Sequence, residues 1–420
     1  MEMALDRMDE SVRDIVAVLP ARTGDLARLQ VMARWAHVPT VTVIGKYNHG
    51  KSRLLNELMG SDVFSVADRR ETMALAEHLQ GEVRWLDAPG LDADVSRTDD
   101  RHADKAVWRE ADVRLFVHSA KEGELDAAEA ALWQELHADQ QRTHRQTLFV
   151  LTQVDQMPDD EHLQRVTHAI SAQTPATCWH RVSATRHRQG VEQGKQLLVE
   201  KSGVPALQEA LRDAVAHVPL SRMHERAMLL GEMSVELGDL RAATQRQQQE
   251  WLQLQQRQRE DFDHGLLAVL MKVSEDLQPI LEVSGKDESL VPDSFENMFK
   301  LTAGKRERAH IQIAYSRACI AINAHLVKHG VVGLPLVQQT SVRSLDTVMV
   351  AVMGVSVKYR DDLRRMFCES RGQEHLRREF ARYFELSEER VQLGQALELA
   401  QALLHRIDRA QAALRLWEAP

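Results

Sequence analysis

The stretch GKYNHGKS, residues 45–52, holds the residue types and spacing that point most directly to chemistry. It fits the pattern G-x-x-x-x-G-K-S, in which backbone N–H groups and a helix N-terminus hold phosphate oxygens. Gly50 allows a close approach to the phosphates, Lys51 places an ammonium between the β- and γ-phosphates, and the Ser52 hydroxyl is a ligand for Mg²⁺. The motif therefore predicts a phosphate-binding loop with a bound magnesium ion.

A second motif, VRWLDAPGLD at 83–92, ends an apolar strand in an aspartate followed by Pro-Gly. Asp87 is placed to bind the magnesium ion directly or through water, and the N–H of Gly90 is placed to meet the γ-phosphate. Thr72 is the sole threonine between Ser52 and Asp87. We expect it to close over Mg²⁺ and the γ-phosphate, and the alternative is an ordinary solvent-exposed threonine.

The base-reading residues are expected at the ends of two later strands, in LFVLTQVDQM (148–157) and RVSAT (181–185). The Asp155 carboxylate can accept two hydrogen bonds from guanine N1 and N2, which adenine cannot supply. The backbone N–H groups of Ser183 and Ala184 can reach guanine O6. The ligand crevice of a parallel sheet lies at these strand ends, so the sequence predicts GTP as the nucleotide.

These motifs give three predicted groups of site residues. The nucleotide-binding group is Gly45, Asn48, His49, Gly50, Lys51, Ser52, Arg53, Thr152, Gln153, Asp155, Ser183 and Ala184. The catalytic group is Asn48, Lys51, Thr72 and Gly90. The metal group is Ser52, Thr72 and Asp87.

The elements that must position these residues alternate between strand and helix from residue 38 to about 217. Short apolar strands separated by helices predict an α/β domain, a mostly parallel sheet with helices on both faces, over 38–218. Strand signals fade after Pro219, and a composition rich in Leu, Ala, Gln, Glu and Arg predicts an all-α, stalk-like helical domain over 219–420. Residues 1–37 predict an N-terminal helix that packs on this helical domain.

Composition sets limits on the class of protein. The chain has 420 residues, three separated cysteines and a net charge of −9. The cysteine spacing disfavours a disulfide framework or a zinc site and fits a reducing cytosol. The N-terminus lacks the features of a signal peptide, and no apolar run reaches the eighteen or so residues of a membrane span. The acidic balance disfavours a nucleic-acid partner.

In this order, the motifs resemble those of the translation-factor-related GTPases, closest to the Era-like and bacterial dynamin-like proteins. The resemblance covers residues 38–217 and implies a Mg²⁺-dependent GTPase. Gln153 departs from the family, which usually has a lysine that packs along the base. Leu91 follows DAPG where Ras-like proteins place a glutamine that orients the attacking water. Catalysis must then use backbone-held water, a monovalent cation or a partner.

Asn48 holds the position at which potassium-activated members of the family carry an asparagine that binds K⁺. Two interpretations stay open, a K⁺ ligand or a residue that tolerates an unusual loop conformation. The resemblance also implies that two G domains meet face to face, which predicts a homodimer or a pairing with a related GTPase.

The helical half resembles the stalk of dynamin-like proteins, and 329–360 is the predicted tip. Two apolar runs there, 331–337 and 345–357, are followed by basic residues that suit anionic head groups. They could enter one leaflet of a membrane, but we favour the interpretation that both runs are core. The first functional hypothesis is a dynamin-like GTPase that moves a stalk, in the cytoplasm or at the inner face of the membrane. The alternative is a soluble switch that binds a protein through 221–283.

Overall fold

A computed structural model provides the architecture of the chain. It describes residues 2–64, 76–87, 105–175, 177–282, 286–292, 294–295, 299–339, 341 and 346–418, with only the backbone described for 2–7 and 105. Two compact units divide the chain. The first comprises Met1–Gly238 and Asp408–Pro420, and the second comprises Asp239–Ile407.

A six-stranded sheet forms the centre of the first unit, with the order β2-β3-β1-β4-β5-β6. All neighbouring strands are parallel except β2 and β3, which are antiparallel. The strands are β1 Thr40–Ile44, β2 Ala76–Gln80, β3 Val83–Asp87, β4 Val113–Ser119, β5 Gln146–Thr152 and β6 Trp179–Arg181. The α/β class with a mostly parallel sheet is thus confirmed.

Helices surround the sheet and make up the described parts of the second unit. In the first half of the chain they are α1 Glu2–Val16, α2 Thr23–Arg34, α3 Lys51–Met59, α4 Ala127–Thr143, α5 Asp160–Gln173, α6 Ala184–Glu192 and α7 Gln196–Lys201. They continue with α8 Val204–Leu281, α9 Ala303–Lys328, α10 Val348–Met353, α11 Arg360–Leu363, α12 Ser370–Glu385 and α13 Glu388–Glu418. One π-helical turn, Lys105–Glu110, precedes β4.

The sheet is buried on both faces, which explains why the inner strands β1, β4 and β5 carry runs of apolar side chains. On one face, side chains of β1 and β4 pack with α3 and with the first part of α8, including Leu207 and Leu211. On the other face, Phe116 and Phe149 pack with Trp133 of α4. The carboxyl ends of β1, β4 and β5 therefore meet at one edge of the sheet, where their loops can share a ligand.

Buried charges join α2 to the start of β4 and to α8 within the first unit. The Arg28 guanidinium donates to Asp112 at 2.8 Å and to Glu225 at 3.0 Å, and all three side chains are buried. Arg222 also donates to Asp112 at 2.8 Å. Charge-assisted hydrogen bonds to both carboxylates offset the free-energy cost of burying these charges.

The N-terminal helices also contact the end of α13. Trp417 Nε1 donates to the Ser11 hydroxyl at 2.8 Å, and Arg409 pairs with Asp14. Residues from both ends of the chain therefore belong to the first unit, together with the first 35 residues of α8.

The second unit has its own apolar core, which runs through α8, α9, α10 and α12. Phe262 of α8 stacks on Phe384 of α12 with ring centroids 4.3 Å apart. The predicted tip contributes to this core through five buried side chains: Val331, Leu334, Val348, Met353 and Val357. Among the described helices, none has the length and apolar character that crossing a membrane requires.

Three features differ from the expectations drawn from the sequence. The edge strand β2, of mixed burial, was not predicted, because its sequence AEHLQ lacks the apolar alternation of a strand. Helices α6 and α7 were also not predicted. The third difference is α8, a 78-residue helix that runs through Pro219 instead of beginning anew after it. Proline removes one backbone hydrogen bond from a helix, and burial of Val218 and Leu229 on either side helps to offset this loss.

Candidate nucleotide site

The loop between β1 and α3 has the backbone shape that its glycines allow. A Cβ atom on Gly45 would lie 2.2 Å from the Val117 carbonyl oxygen, so the close approach of β1 to β4 requires glycine there. Gly50 has φ of 80° and immediately precedes α3, and that left-handed conformation favours glycine. The loop therefore turns directly into a helix N-terminus, which is the geometry that binds phosphate oxygens.

The Lys51 ammonium lies inside this loop. Its Nζ donates to the Gly45 carbonyl oxygen at 2.9 Å and to the Lys46 carbonyl oxygen at 2.8 Å, and the side chain is buried. Both acceptors belong to the loop itself. The positive charge is therefore held at the concave side of the loop, where phosphate oxygens would lie.

Ser52 and Asp87 are brought together from α3 and the end of β3. The Ser52 hydroxyl donates to Asp87 Oδ2 at 2.6 Å. Asp87 is buried, and its second oxygen, Oδ1, has no hydrogen-bond partner among the described residues. Burial raises the pKa of this carboxyl above its ordinary value, although the Ser52 hydroxyl and Lys51 act in the opposite direction. A hydroxyl beside a buried carboxylate with an unpaired oxygen fits a Mg²⁺ ligand set.

Thr152 and Gln153, at the end of β5, hold the phosphate-binding loop from the side. The Thr152 hydroxyl donates to the His49 carbonyl oxygen at 2.6 Å. The Gln153 amide donates to the Asn48 carbonyl oxygen at 2.7 Å and accepts from the Ser119 hydroxyl at 3.0 Å. Asn48 and Gln153 both have φ near 60°, so the two residues that meet here each have a left-handed backbone.

The other predicted base-contacting residues follow β5 and β6. Asp155 is half-buried on a single 3₁₀ turn directly after Gln153. The buried Ser183 immediately precedes α6, and its hydroxyl accepts from the Arg186 N–H at 3.0 Å. The Ser183 N–H donates to the Ser202 carbonyl oxygen at 2.8 Å. Ala184 is the first residue of α6.

Four remaining predicted positions have different outcomes. Thr72 and Gly90 lie outside the described residues. Arg53 is half-buried on the first turn of α3. The His49 side chain is buried, and its Nδ1 lies 3.3 Å from the Val117 carbonyl oxygen, so only the backbone of His49 lines the loop.

Sequence reasoning missed two residues that contact His49 beneath the loop, His118 of β4 and Glu129 of α4. The His118 Nδ1 lies 2.9 Å from Glu129 Oε1, and His49 Nδ1 lies 3.5 Å from the same oxygen. One signal was available, a histidine directly after the apolar run LFV of β4. Glu129 gave no such signal, because its role in capping α4 is the ordinary role of a glutamate at that position.

Comparison with known proteins identifies the family of the domain that holds this site. Residues 40–153 match the family model described as 50S ribosome-binding GTPase. Uncharacterized protein ACIAD1443 of Acinetobacter baylyi is 53% identical over 411 residues, which cover 98% of this chain and 98% of that protein.

More distant similarities involve parts of other GTPases and one larger structure. GTPase Der of Streptococcus pneumoniae (strain Hungary19A-6) is 31% identical over 125 residues, which are 28% of this chain and 28% of Der. A structure of an oligomerised bacterial dynamin pair is 12% identical, with a TM-score of 0.37, and the match covers 98% of this chain and 76% of that one.

The family model and the Der match confirm the GTPase part of the predicted resemblance. The phosphate-binding loop, the Ser52–Asp87 pair and the Thr152–Asp155 segment lie in or beside the matched range. The chain belongs to the same family as the Acinetobacter baylyi protein, and it is a P-loop GTPase.

Proposed function

We propose that this GTPase couples GTP-dependent association of two G domains to movement of its helical unit, as a dynamin-like protein would. The observation that carries the proposal is the continuity of α8. The helix begins against the sheet, where Val204 and Leu207 are buried, and it continues to Leu281 in the core of the second unit. A change at the nucleotide site that moves the start of α8 would be transmitted along one unbroken element.

In this proposal the residues of the site divide the work of binding and hydrolysis. Lys51 meets the β- and γ-phosphates, and Ser52 and Asp87 hold Mg²⁺, which when bound would neutralise charge developing on the phosphates. Thr72 and Gly90 sense the γ-phosphate. Asp155 reads guanine N1 and N2. The Ala184 N–H is the better donor for guanine O6, because the Ser183 N–H already donates to Ser202.

In this proposal, either the second G domain or a K⁺ ion bound at Asn48 takes the catalytic role that a glutamine has in Ras-like proteins. Asn48 is exposed and has φ of 59°, and Gln153 holds its carbonyl oxygen. This left-handed conformation places the residue at the rim of the loop, where a facing domain could reach it. A comparison of K⁺ with Na⁺ tests the cation directly.

In a membrane role the helical unit would use exposed apolar side chains, both outside the two runs and at the end of the first run, because the other members of the runs listed above are buried in the core. Phe295 is 87% exposed and Phe299 is 98% exposed, and Leu336 and Val337 are 85% and 93% exposed. Side chains of this kind can enter the interface of a bilayer.

Three of the basic residues that follow the two apolar runs are less suited to lipid head groups than the sequence suggested. Arg360 pairs with Glu307, and Arg364 and Arg365 both pair with Asp361. Lipid binding is therefore expected to depend more on apolar insertion than on anionic charge.

The second candidate function, a soluble switch that binds a protein partner, draws on the glutamine-rich part of α8. Residues 241–260 are largely exposed there, and Leu252 and Leu254 are among them. Exposed leucines on an otherwise polar helix are a small but real apolar surface for a partner helix.

The experiment that separates these functions measures hydrolysis of GTP and ATP as a function of protein concentration. It is run in K⁺ and in Na⁺, with neutral liposomes, with anionic liposomes and without lipid, and Lys51→Ala serves as the inactive control. GTP-selective turnover that rises more steeply than the protein concentration supports association of G domains. Turnover that is proportional to protein and unaffected by lipid favours the soluble switch.

The lipid arm has its own matched variants. Phe295→Ser combined with Phe299→Ser should abolish stimulation by both kinds of liposome and leave turnover without lipid unchanged. Leu399→Ser, at an exposed leucine of α13, is the control. Stimulation that survives in the double variant would remove these phenylalanines from the proposal.

A further inference from the structure

Beneath the phosphate-binding loop, three ionisable side chains from three elements converge in a buried cluster. His49 comes from the loop, His118 from β4, and Glu129 from the first turn of α4. One nitrogen or oxygen atom of each lies within 4.8 Å of the other two, and all three residues are buried. None of them has a role in binding the nucleotide through its side chain.

The two distances from Glu129 to the histidines approach those between ligands of a small tetrahedral metal site. Glu129 Oε1 lies 2.9 Å from His118 Nδ1 and 3.5 Å from His49 Nδ1. Metal–ligand bonds of about 2.0–2.2 Å to histidine and carboxylate place neighbouring tetrahedral ligands roughly 3.4 Å apart. The His49–Glu129 edge already has that length, and the His118–Glu129 edge would lengthen by about half an ångström on metal binding. His49 Nδ1 also lies 3.3 Å from the Val117 carbonyl oxygen, so metal binding would take the Nδ1 proton from that acceptor and leave the neutral ring protonated at Nε2.

Hydrogen bonds between neighbouring groups and the other polar atoms of His118 and Glu129 orient these ligand atoms towards one point. His118 Nε2 donates to the Gly123 carbonyl oxygen at 3.0 Å, which directs Nδ1 towards Glu129. Glu129 Oε2 accepts from the Asp126 N–H at 3.3 Å and lies 3.5 Å from Lys46 Nζ, so Oε1 is left to face both histidines. Histidine ligands of metals characteristically donate their other ring N–H to a backbone carbonyl or a carboxylate.

The protonation states of the cluster are compatible with exchange of a proton for a metal ion. His118 Nε2 faces the Gly123 carbonyl oxygen and Nδ1 faces the Glu129 carboxylate, so a metal ion at Nδ1 would take the place of the hydrogen bond to Glu129. Burial lowers the pKa of His49 to about 4, which keeps this imidazole neutral near pH 7. Burial would raise the pKa of Glu129, but the His118 imidazole outweighs it and holds that pKa below the ordinary value.

We propose that His49, His118 and Glu129 bind a divalent transition-metal ion of the zinc class. The ion would take the place of a proton at Nδ1 of each histidine and bind two neutral imidazoles and one carboxylate, a ligand set that zinc accepts and Mg²⁺ does not favour. Because the site is buried, its role is structural: it would tie the phosphate-binding loop to β4 and α4. The site is separate from the Ser52–Asp87 magnesium pair.

The test uses the full chain, stripped of metals by chelation and then saturated with Mg²⁺ and GDP so that the nucleotide site is filled. Zn²⁺ is added, excess ion is removed by dialysis, and bound zinc is measured by mass spectrometry. Co²⁺ is added to a second sample, where a tetrahedral site with nitrogen ligands gives visible d–d absorption. We expect about one ion per chain and a higher melting temperature for the zinc-loaded protein.

The variants Glu129→Gln and His118→Asn each remove one ligand and should lower zinc affinity by at least about tenfold. His144→Gln is the control for adventitious binding, since the exposed His144 ring stacks on His224 with centroids 3.8 Å apart. That variant should keep the full zinc content. Circular dichroism of each variant establishes that it is folded.

Two results would overturn the proposal. One is a wild-type protein that retains no zinc, which would make the cluster a proton-held ion pair. The other is equal zinc content in Glu129→Gln and the wild type, which would place the ion elsewhere. X-ray absorption of zinc bound to the wild-type protein gives an answer even if the variants do not fold, because it must report two imidazole ligands.

Discussion

Gln153 Nε2 donates a 2.7 Å hydrogen bond to the backbone carbonyl oxygen of Asn48 and so joins the loop after β5 to the phosphate-binding loop. The same side chain accepts from the Ser119 hydroxyl at the end of β4. Related GTPases usually have lysine at this position, which supplies only donors. Glutamine supplies both a donor and an acceptor, and three loops of the site meet at this one amide.

The isosteric change Gln153→Glu should therefore weaken nucleotide binding. A carboxylate cannot donate to the Asn48 carbonyl oxygen, and it would place a negative charge beside an acceptor. We expect the dissociation constants for GDP and GTP to rise by about tenfold or more, because the loss of one such donor costs about 1–3 kcal/mol. Isothermal titration calorimetry measures both constants. Gln156→Glu, three residues further along and exposed, makes the same charge change and should bind normally.

Asp87→Asn should make the protein more stable and at the same time much less active as a GTPase. The buried carboxylate has a raised pKa and one oxygen without a partner among the described residues. Its negative charge therefore destabilises the folded, nucleotide-free protein. The neutral amide should raise the free energy of unfolding by about 1 kcal/mol in EDTA. GTP hydrolysis in Mg²⁺ should fall by about a hundredfold or more.

Chemical denaturation and steady-state turnover measure these two effects of Asp87→Asn. Asp213→Asn, at an exposed position of α8, is the control and should change neither quantity. A variant at Asp87 that is both less stable and fully active would contradict the assignment of this carboxylate to Mg²⁺.

Asp112→Asn should destabilise the first unit in a pH-dependent manner. Burial acts to raise the pKa of Asp112, but Arg28 and Arg222 outweigh it and hold that pKa below its ordinary value. A carboxyl with a lowered folded pKa adds stability above its unfolded pKa of about 3.9, and that stability is lost as the pH falls through the folded pKa. At pH 7 the variant should lose about 3–5 kcal/mol, because two arginines lose a buried partner.

The measurement for Asp112→Asn is denaturant unfolding followed by tryptophan fluorescence between neutral and acid pH. The difference between the variant and the wild type should shrink as the pH falls below about 4. Asp239→Asn, exposed in the middle of α8, should show no such difference at any pH. A constant difference across the whole range would mean that packing, and not the carboxylate charge, stabilises the cluster.

Two glycines of α8 should respond in opposite directions to alanine. A Cβ on Gly265 would lie 2.5 Å from Cε1 of His325, and His325 Nε2 is held by the Phe262 carbonyl oxygen at 3.0 Å. Gly231 has open space around its missing Cβ. Gly231→Ala should therefore stabilise the protein by about 0.5–1 kcal/mol through helix propensity, whereas Gly265→Ala should destabilise it by about 1–3 kcal/mol.

Thermal unfolding of both glycine variants provides the comparison, with GTP turnover as a check that the nucleotide site is intact. The two substitutions are chemically identical and lie in one helix. A stabilising Gly265→Ala would show that His325 yields easily and that α8 and α9 are not tightly packed at that point.

The sequence by itself determined the chemistry of the GTPase and the two kinds of fold in the chain, a mostly parallel α/β sheet and a large helical region. The phosphate-binding motif spans eight consecutive residues between a strand and a helix, so its geometry depends mainly on local backbone conformation. The alternation of apolar strands with helices, followed by a long stretch of helix-forming composition, was likewise readable because periodicity is a local property.

Only the tertiary structure decided which side chains meet. The sequence analysis began a new domain at residue 219, yet α8 continues through Pro219, with buried apolar side chains on both sides. The partners of Gln153 and of His49 lie dozens of residues away along the chain and were brought near by the packing of β1, β4 and β5. Three of the basic residues that follow the two apolar runs proved to be paired with nearby acids. Local sequence encodes backbone preference, but long-range pairing depends on how the strands and helices pack, which no single stretch of the sequence specifies.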